Sequence, residues 1–215
     1  MGFFQMDPMQ VLSFLVALLA TLTFHEASHA LVAYYLGDPT AKMEGRLSLN
    51  PVNHLDPMGT MIFLITWTVG WGKPVPVNPR NFKHPVRDSA LVALAGPVSN
   101  LAFAFVIALL WKYLGTYMWA PLLLFVQTLF HMNVFLAIFN LFPFPPLDGS
   151  KILGLIIPKR WYGIYANYLE SGVKYLVVIM LVDVFILGNI FGFSIFSNVM
   201  QFLHDRVSTI LLLGT

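Results

Sequence analysis

Hydrophobic positions along this chain gather in long blocks separated by short polar breaks, unlike the one-sided stripe of a soluble helix. Residues 9–36 form the first block, free of Pro and Gly, and exceed the ~20 apolar residues needed to cross a bilayer. Gly37-Asp38-Pro39 ends it as a turn, and residues 40–58 are polar, with further turns at Asn50-Pro51 and Asp56-Pro57. Residues 59–72 are apolar but short. As a helix, 60–71 rise about 18 Å against a hydrocarbon core of about 30 Å, which predicts a re-entrant or shallow element. Residues 73–79 alternate Pro and Val and predict an extended edge strand; 80–88 form a basic polar loop. Further spans are predicted over 89–111 and 119–142. The first of these centres on Ala95-Gly96-Pro97-Val98-Ser99-Asn100, small residues that admit a close helix neighbour around a Pro kink and a buried amide. The other stops in Pro143-Phe144-Pro145-Pro146-Leu147-Asp148-Gly149, which forbids continued helix. Residues 150–174 read as amphipathic and partly interfacial, and 175–191 as a fourth span. The remainder, 192–215, is apolar except at His204-Asp205-Arg206 and suits either a fifth span or a surface helix.

Composition narrows the class. The chain has 215 residues, 58% hydrophobic and 10% charged, with a mean hydropathy of +0.74, which excludes an ordinary soluble domain and a disordered one. Nineteen Phe, eight Tyr and five Trp suit lipid contact and interfacial anchoring. A formal charge of +2 is too small to suggest nucleic acid, and no nucleic-acid partner is expected. With no cysteine, disulfides and thiolate ligands are ruled out, so any metal takes His and carboxylate. Residues 1–8 lack a basic start, and no cleavable signal peptide is expected.

Charge also sets orientation. Lys42, Arg46, Lys73, Arg80, Lys83, Arg87, Lys151, Lys159 and Arg160 fall on one side if 59–72 does not cross, leaving Lys112 opposite and Lys174 and Arg206 unassigned. The positive-inside rule makes that side cytoplasmic and the N-terminus external.

Three ionisable residues interrupt the first block: His25, Glu26 and His29. A charge near the middle of a membrane helix costs roughly 2.5–3.5 kcal/mol, so such residues mark function. Residues four apart share one helix face, so His25 and His29 can aim a ring nitrogen at one point. Two neutral imidazoles so placed suit Zn²⁺, with Glu26 beside them as general base. His25 lies 11 residues before Leu36, about 16 Å from the cytoplasmic helix end. The site is therefore expected within the membrane, toward the cytoplasm.

A catalytic zinc usually takes three protein ligands. Asp148, His131, His54 and Asp56 are the candidates for the third. Asp148 is the best placed, in a helix-breaking loop at comparable depth, although Asp there also suits the N-cap of the following helix. His131, four residues after Gln127, also reads as a helix-to-helix hydrogen-bonding group, and His54 and Asp56 as parts of a turn-rich surface loop. Asn100 reads as packing glue. Asp183, in the fourth span, calls for a cation partner.

His25-Glu26-Ala27-Ser28-His29, Gly96-Pro97-Val98-Ser99-Asn100 and Asn140-Leu141-Phe142-Pro143-Phe144-Pro145-Pro146-Leu147-Asp148-Gly149 occur in the order seen in site-2 proteases, the intramembrane zinc metalloproteases. Leu49-Asn50-Pro51 to Gly59 and Gly72-Lys73-Pro74-Val75-Pro76-Val77-Asn78-Pro79 also resemble their small prokaryotic branch, so the likeness covers roughly 20–155. The resemblance implies that His25, His29 and Asp148 bind one Zn²⁺ per chain, that Glu26 is the catalytic base, and that Asn140 assists at the scissile carbonyl. It implies that the 73–79 strand pairs with substrate. A PDZ or CBS domain has no room in 215 residues. Asn140 also reads, more plainly, as an interhelical hydrogen-bonding residue.

The expectation is an all-α polytopic membrane protein with about four to five transmembrane helices, a re-entrant element and a short β segment near the active site. A single integral-membrane domain fills 1–215, with the catalytic core over about 9–155 and C-terminal membrane helices over about 165–215. Its function is intramembrane zinc endopeptidase in the cell (plasma) membrane, cutting single-span membrane proteins in or near their transmembrane segments. A homo-oligomer or a regulatory membrane partner stays open. The alternative is a non-proteolytic membrane zinc-binding protein or metal transporter, which the lack of inverted repeats weakens.

Overall fold

The computed structural model describes residues 7–66 and 70–213. Most of the stretch behind the signal-peptide expectation, and residues 67–69 of the expected re-entrant element, lie outside the described residues.

Helix α1 (Pro8–Tyr35) starts on a full capping box. The Asp7 carboxylate accepts the Met9 N–H at 2.7 Å, the Gln10 side chain accepts the Asp7 N–H at 3.2 Å, and Pro8 sits where no donor is needed. It ends just before Gly37, whose φ of +105° suits only a residue without Cβ. A single turn, α2 (Thr40–Met43), a 3₁₀ turn (Pro51–His54) and the short helix α3 (Pro57–Thr66) follow. Helices α4 (Pro85–Leu114) and α5 (Ala120–Leu141) are long, and α6 (Asp148–Ile152) is a short piece after the proline-rich break. Helix α7 (Tyr162–Leu181) runs on through a π-helical stretch (Val182–Gly188) and α8 (Asn189–Phe191), and α9 (Ile195–Leu211) closes the described chain.

Four stretches are long and apolar enough to cross a membrane: Pro8–Tyr35, Pro85–Tyr117, Ala120–Leu141 and Lys174–Phe191. These four candidate spans lie where the hydrophobic blocks put them. Helix α4 runs antiparallel to α1 and α5, so that Thr21, Asn100 and Asn133 meet at one level and His29 and Val92 at the next. Their shared core holds Ala17, Ala104, Ala108, Val126, Phe130, Val134 and Ile138. The alanines let the helices approach closely, which is how membrane bundles gain dispersion contact.

The last stretch forms α9, laid antiparallel along α5. Phe196 stands 5.4 Å from Phe142, Met200 enters the core, and Lys112 Nζ reaches the Leu212 carbonyl at 3.5 Å. Asp183 meets no cation among the described residues. Its carboxylate accepts the N–H groups of Ile195 at 2.8 Å and Phe196 at 3.2 Å, together with the Ser194 hydroxyl, and so caps α9.

Among the described residues there is no strand, only an isolated antiparallel bridge between Leu55 and Gly72. Residues 73–78 carry no ladder for a physical reason. Pro74 and Pro76 have no N–H, and the donors of Lys73, Val75 and Asn78 go to the His54 carbonyl (2.9 Å), Glu26 (3.1 Å) and Asp38 (2.7 Å).

Candidate metal centre

His25 and His29 point from one face of α1 toward α4 and α6, where Asp148 stands at the first turn after the proline break. His25 Nε2 lies 3.1 Å and His29 Nε2 3.2 Å from Asp148 Oδ2, and the two imidazole nitrogens are 3.0 Å apart. All three residues are buried. The Asp148 side chain faces the histidines.

The other ring nitrogens explain why these donors converge. His25 Nδ1 donates to Asn100 Oδ1 at 2.6 Å, and His29 Nδ1 donates to the Val92 carbonyl at 2.7 Å. Each bond fixes the tautomer that leaves Nε2 as the free acceptor. Asn100, fully buried, is itself held: its Nδ2 donates to Asn133 Oδ1 at 2.9 Å and to the Thr21 carbonyl at 3.2 Å. Asn133 Nδ2 in turn donates to Thr21 Oγ1 at 2.9 Å and to the Leu129 carbonyl at 2.8 Å. One buried amide chain thus ties His25 to three helices, and every member is satisfied.

Two glycines make room. A Cβ at Gly96 would sit 2.5 Å from both His25 Cε1 and His29 Nε2, so α4 reaches the histidines only with hydrogen at that position. A Cβ at Gly149 would sit 2.3 Å from the Leu141 and Phe142 carbonyl oxygens, so α6 folds back over the end of α5 only with glycine there.

The donor set fits a zinc ion. Ligands about 2.0–2.1 Å from a tetrahedral centre stand about 3.3 Å apart, close to the spacing found, and two imidazoles with one carboxylate leave a fourth position free. A cavity of about 240 Å³ opens on these residues, lined also by Glu26, Val75, Ser89, Asn140 and Lys151. Glu26 Oε2 accepts the Val75 N–H at 3.1 Å, which lays the proline-rich strap across the opening. Asp38, fully buried, anchors the strap's far end: it accepts the Asn78 N–H and Asn81 Nδ2, each at 2.7 Å. Arg46, also buried, donates to the Lys73 carbonyl at the near end.

The remaining candidates lie elsewhere. His54 Nε2 donates to the Ser48 carbonyl at 2.7 Å. Asp56 accepts the Gly59 N–H at 2.7 Å near the start of α3. His131 contacts His204 of α9. Asn140 lines the cavity, yet its Nδ2 donates to Leu136 of its own helix at 3.0 Å rather than to a neighbouring helix. Sequence reasoning missed Asn133, Thr21, Asp38 and Arg46, and gave Asn100 only a packing role. Ser89, whose buried hydroxyl bonds to none of the described residues, was missed as well.

A sequence model of peptidase family M50 matches residues 115–184. The chain is similar to "Putative zinc metalloprotease YwhC" of Bacillus subtilis, 43% identical over 159 residues, with a coverage of 70% of this chain and 72% of that protein. It is 33% identical over 144 residues to "Putative zinc metalloprotease Rip2" of Mycobacterium tuberculosis, covering 63% of this chain and 53% of that protein. It is 30% identical over 150 residues to "Putative zinc metalloprotease MJ0611" of Methanocaldococcus jannaschii, covering 66% of this chain and 71% of that protein. No solved structure matches it.

Proposed function

Given that the chain belongs to peptidase family M50, the site-2 proteases, we propose that it is a zinc endopeptidase that hydrolyses peptide bonds in or near the spans of membrane-anchored proteins. The observation that carries this is the convergence of His25 Nε2, His29 Nε2 and Asp148 Oδ2 within 3.2 Å of one another, with Glu26 on the same cavity. In this reading His25, His29 and Asp148 hold one zinc ion per chain. Bound there, zinc supplies Lewis-acid polarisation of a carbonyl and acidifies water. Glu26 takes the proton of the attacking water and passes it to the leaving amine. Asn140 has one amide hydrogen beyond its bond to Leu136, and that hydrogen steadies the carbonyl oxygen as charge develops.

Substrate entry follows from the strap. A substrate segment, unwound from its helix, pairs with the edge at 73–79 as an added β-strand. Such pairing draws the Val75 N–H away from Glu26 and leaves that carboxylate free for water. Helix α3, ten residues long, rises about 15 Å, half the hydrocarbon thickness, which suits a re-entrant element beside the entry. The distribution of Lys and Arg supports a plasma-membrane orientation with the site toward the cytoplasm. Residues 1–215 act as a single domain on single-span substrates, with a homo-oligomer or a regulatory membrane protein as further partners.

Glu26→Gln tests the reading on purified protein in lipid nanodiscs with a single-span reporter. Zinc content stays at the wild-type value while cleavage falls at least about 100-fold. Cleavage at the wild-type rate would remove Glu26 from the role of base and the mechanism with it.

A further inference from the structure

A second pair of histidines meets on the other side of α5. His131, midway along α5 and exposed, faces His204 of α9 with Nδ1 and Nε2 3.2 Å apart. That spacing is close to the 3.0 Å between His25 and His29. The Asp205 carboxylate lies 3.5 Å from the far nitrogen of His204, Nδ1. Beside the pair opens a cavity of about 580 Å³, lined also by Trp111, Gln127, Thr128 and Met132. Gln127, Thr128 and His131 thus bring polar groups to one face of an otherwise apolar span, an arrangement that membranes penalise unless it has a use.

We propose that His131 and His204 form a second, separate binding site for an imidazole-preferring divalent metal such as zinc, clipping α9 to α5. The nitrogen spacing matches one edge of a tetrahedral ligand set, about 3.3 Å, and the ligands come from two helices, so binding joins them. Two protein ligands leave the remaining positions of a tetrahedral ion unfilled by this chain. The site is weaker than a three-ligand centre and exchanges with free metal. Because it shares no residue with the His25, His29 and Asp148 site, it stands or falls independently of the proteolytic reading.

The test is zinc titration of the full chain in nanodiscs, comparing wild type with H131Q and H204Q by metal analysis after equilibrium dialysis. Wild type binds one zinc more per chain than either variant, and the readout is that difference, whatever the total. Unaltered helical circular dichroism of the variants verifies their fold. On the unmutated chain, zinc slows carbethoxylation of His131 and His204 at least tenfold, read by peptide mass spectrometry. Equal zinc stoichiometry in all three proteins, or modification of His131 and His204 at the same rate with and without zinc, would overturn the proposal and leave a simple hydrogen bond between two rings.

Discussion

Asn100→Ala separates the amide chain behind His25 from the donors themselves. In the folded protein Asn100 does two things at once: Oδ1 accepts the His25 Nδ1–H at 2.6 Å and Nδ2 donates to Asn133 Oδ1 at 2.9 Å. Alanine removes both partners at a fully buried position. Losing the acceptor frees the tautomer and rotation of His25, and groups that orient a metal ligand in this way are worth 10–100-fold in affinity, or about 1.4–2.7 kcal/mol. Losing the donor strands Asn133 Oδ1 without a partner, which lowers stability by about 1–3 kcal/mol. The two effects come apart in Asn100→Asp, which restores an acceptor for His25 but no donor for Asn133. That variant recovers zinc affinity to within about threefold of wild type while its thermal midpoint stays low. The assay is competition for zinc against a fluorescent chelator in nanodiscs, with thermal unfolding followed in parallel by circular dichroism. A folded Asn100→Ala chain binding zinc within about twofold of wild type would refute the idea that this amide orients the ligand.

Gly96→Ala places a methyl carbon 2.5 Å from two imidazoles that hydrogen bonds pin from behind, so neither ring can give way. Zinc affinity falls at least tenfold, by the same chelator competition, with helix content unchanged. Asp38 is fully buried; burial alone would raise its carboxyl, but bonds from Thr40, Asn81 and the backbone of Asn78 and Thr40 outweigh that and hold it below the ordinary value. A depressed folded value stabilises the native state at every pH above the unfolded carboxyl's pKa of about 3.9, and that stabilisation fades as pH falls through the folded value. The protection factors of amides in residues 72–82, corrected for intrinsic exchange, therefore stay high from pH 7 down to about 4 and fall below it, whereas in Asp38→Asn they are low already at pH 7 and lack that pH step.

The fold was legible where a single physical demand dominated. Crossing a bilayer demands long apolar runs, and the ends of α1, α4 and α5 follow the proline, glycine and aspartate punctuation closely. The strap was legible only in composition. Pro-Val alternation excludes a helix but does not say what receives the remaining donors, and here side chains do: Glu26 takes Val75 and Asp38 takes Asn78. Asp183 was opaque for a related reason. A carboxylate in an apolar stretch calls for compensation, and the compensation came from the N-terminus of α9, twelve residues on, instead of from a cation.

The site divides in the same way. Spacing alone put His25 and His29 on one face, because a helix fixes that relation locally, and the proline break singled out Asp148 as the best placed of four candidates. What no local rule supplies is the far side of each ring. Asn100 lies 75 residues from His25 and Val92 lies 63 from His29, so both partners depend on how α4 is seated against α1. That seating depends on Gly96, whose missing side chain sets how near the two helices can come. Gly96 and Asn100 are four residues apart on α4 and so share a face, one admitting the histidines and the other holding His25 in its metal-ready tautomer. In the proposed zinc site the small residues of the Gly96–Asn100 segment, which sequence reading assigns to helix packing, would therefore act on metal affinity through packing itself: moving α4 outward by the width of a methyl group would carry the Asn100 acceptor away from His25.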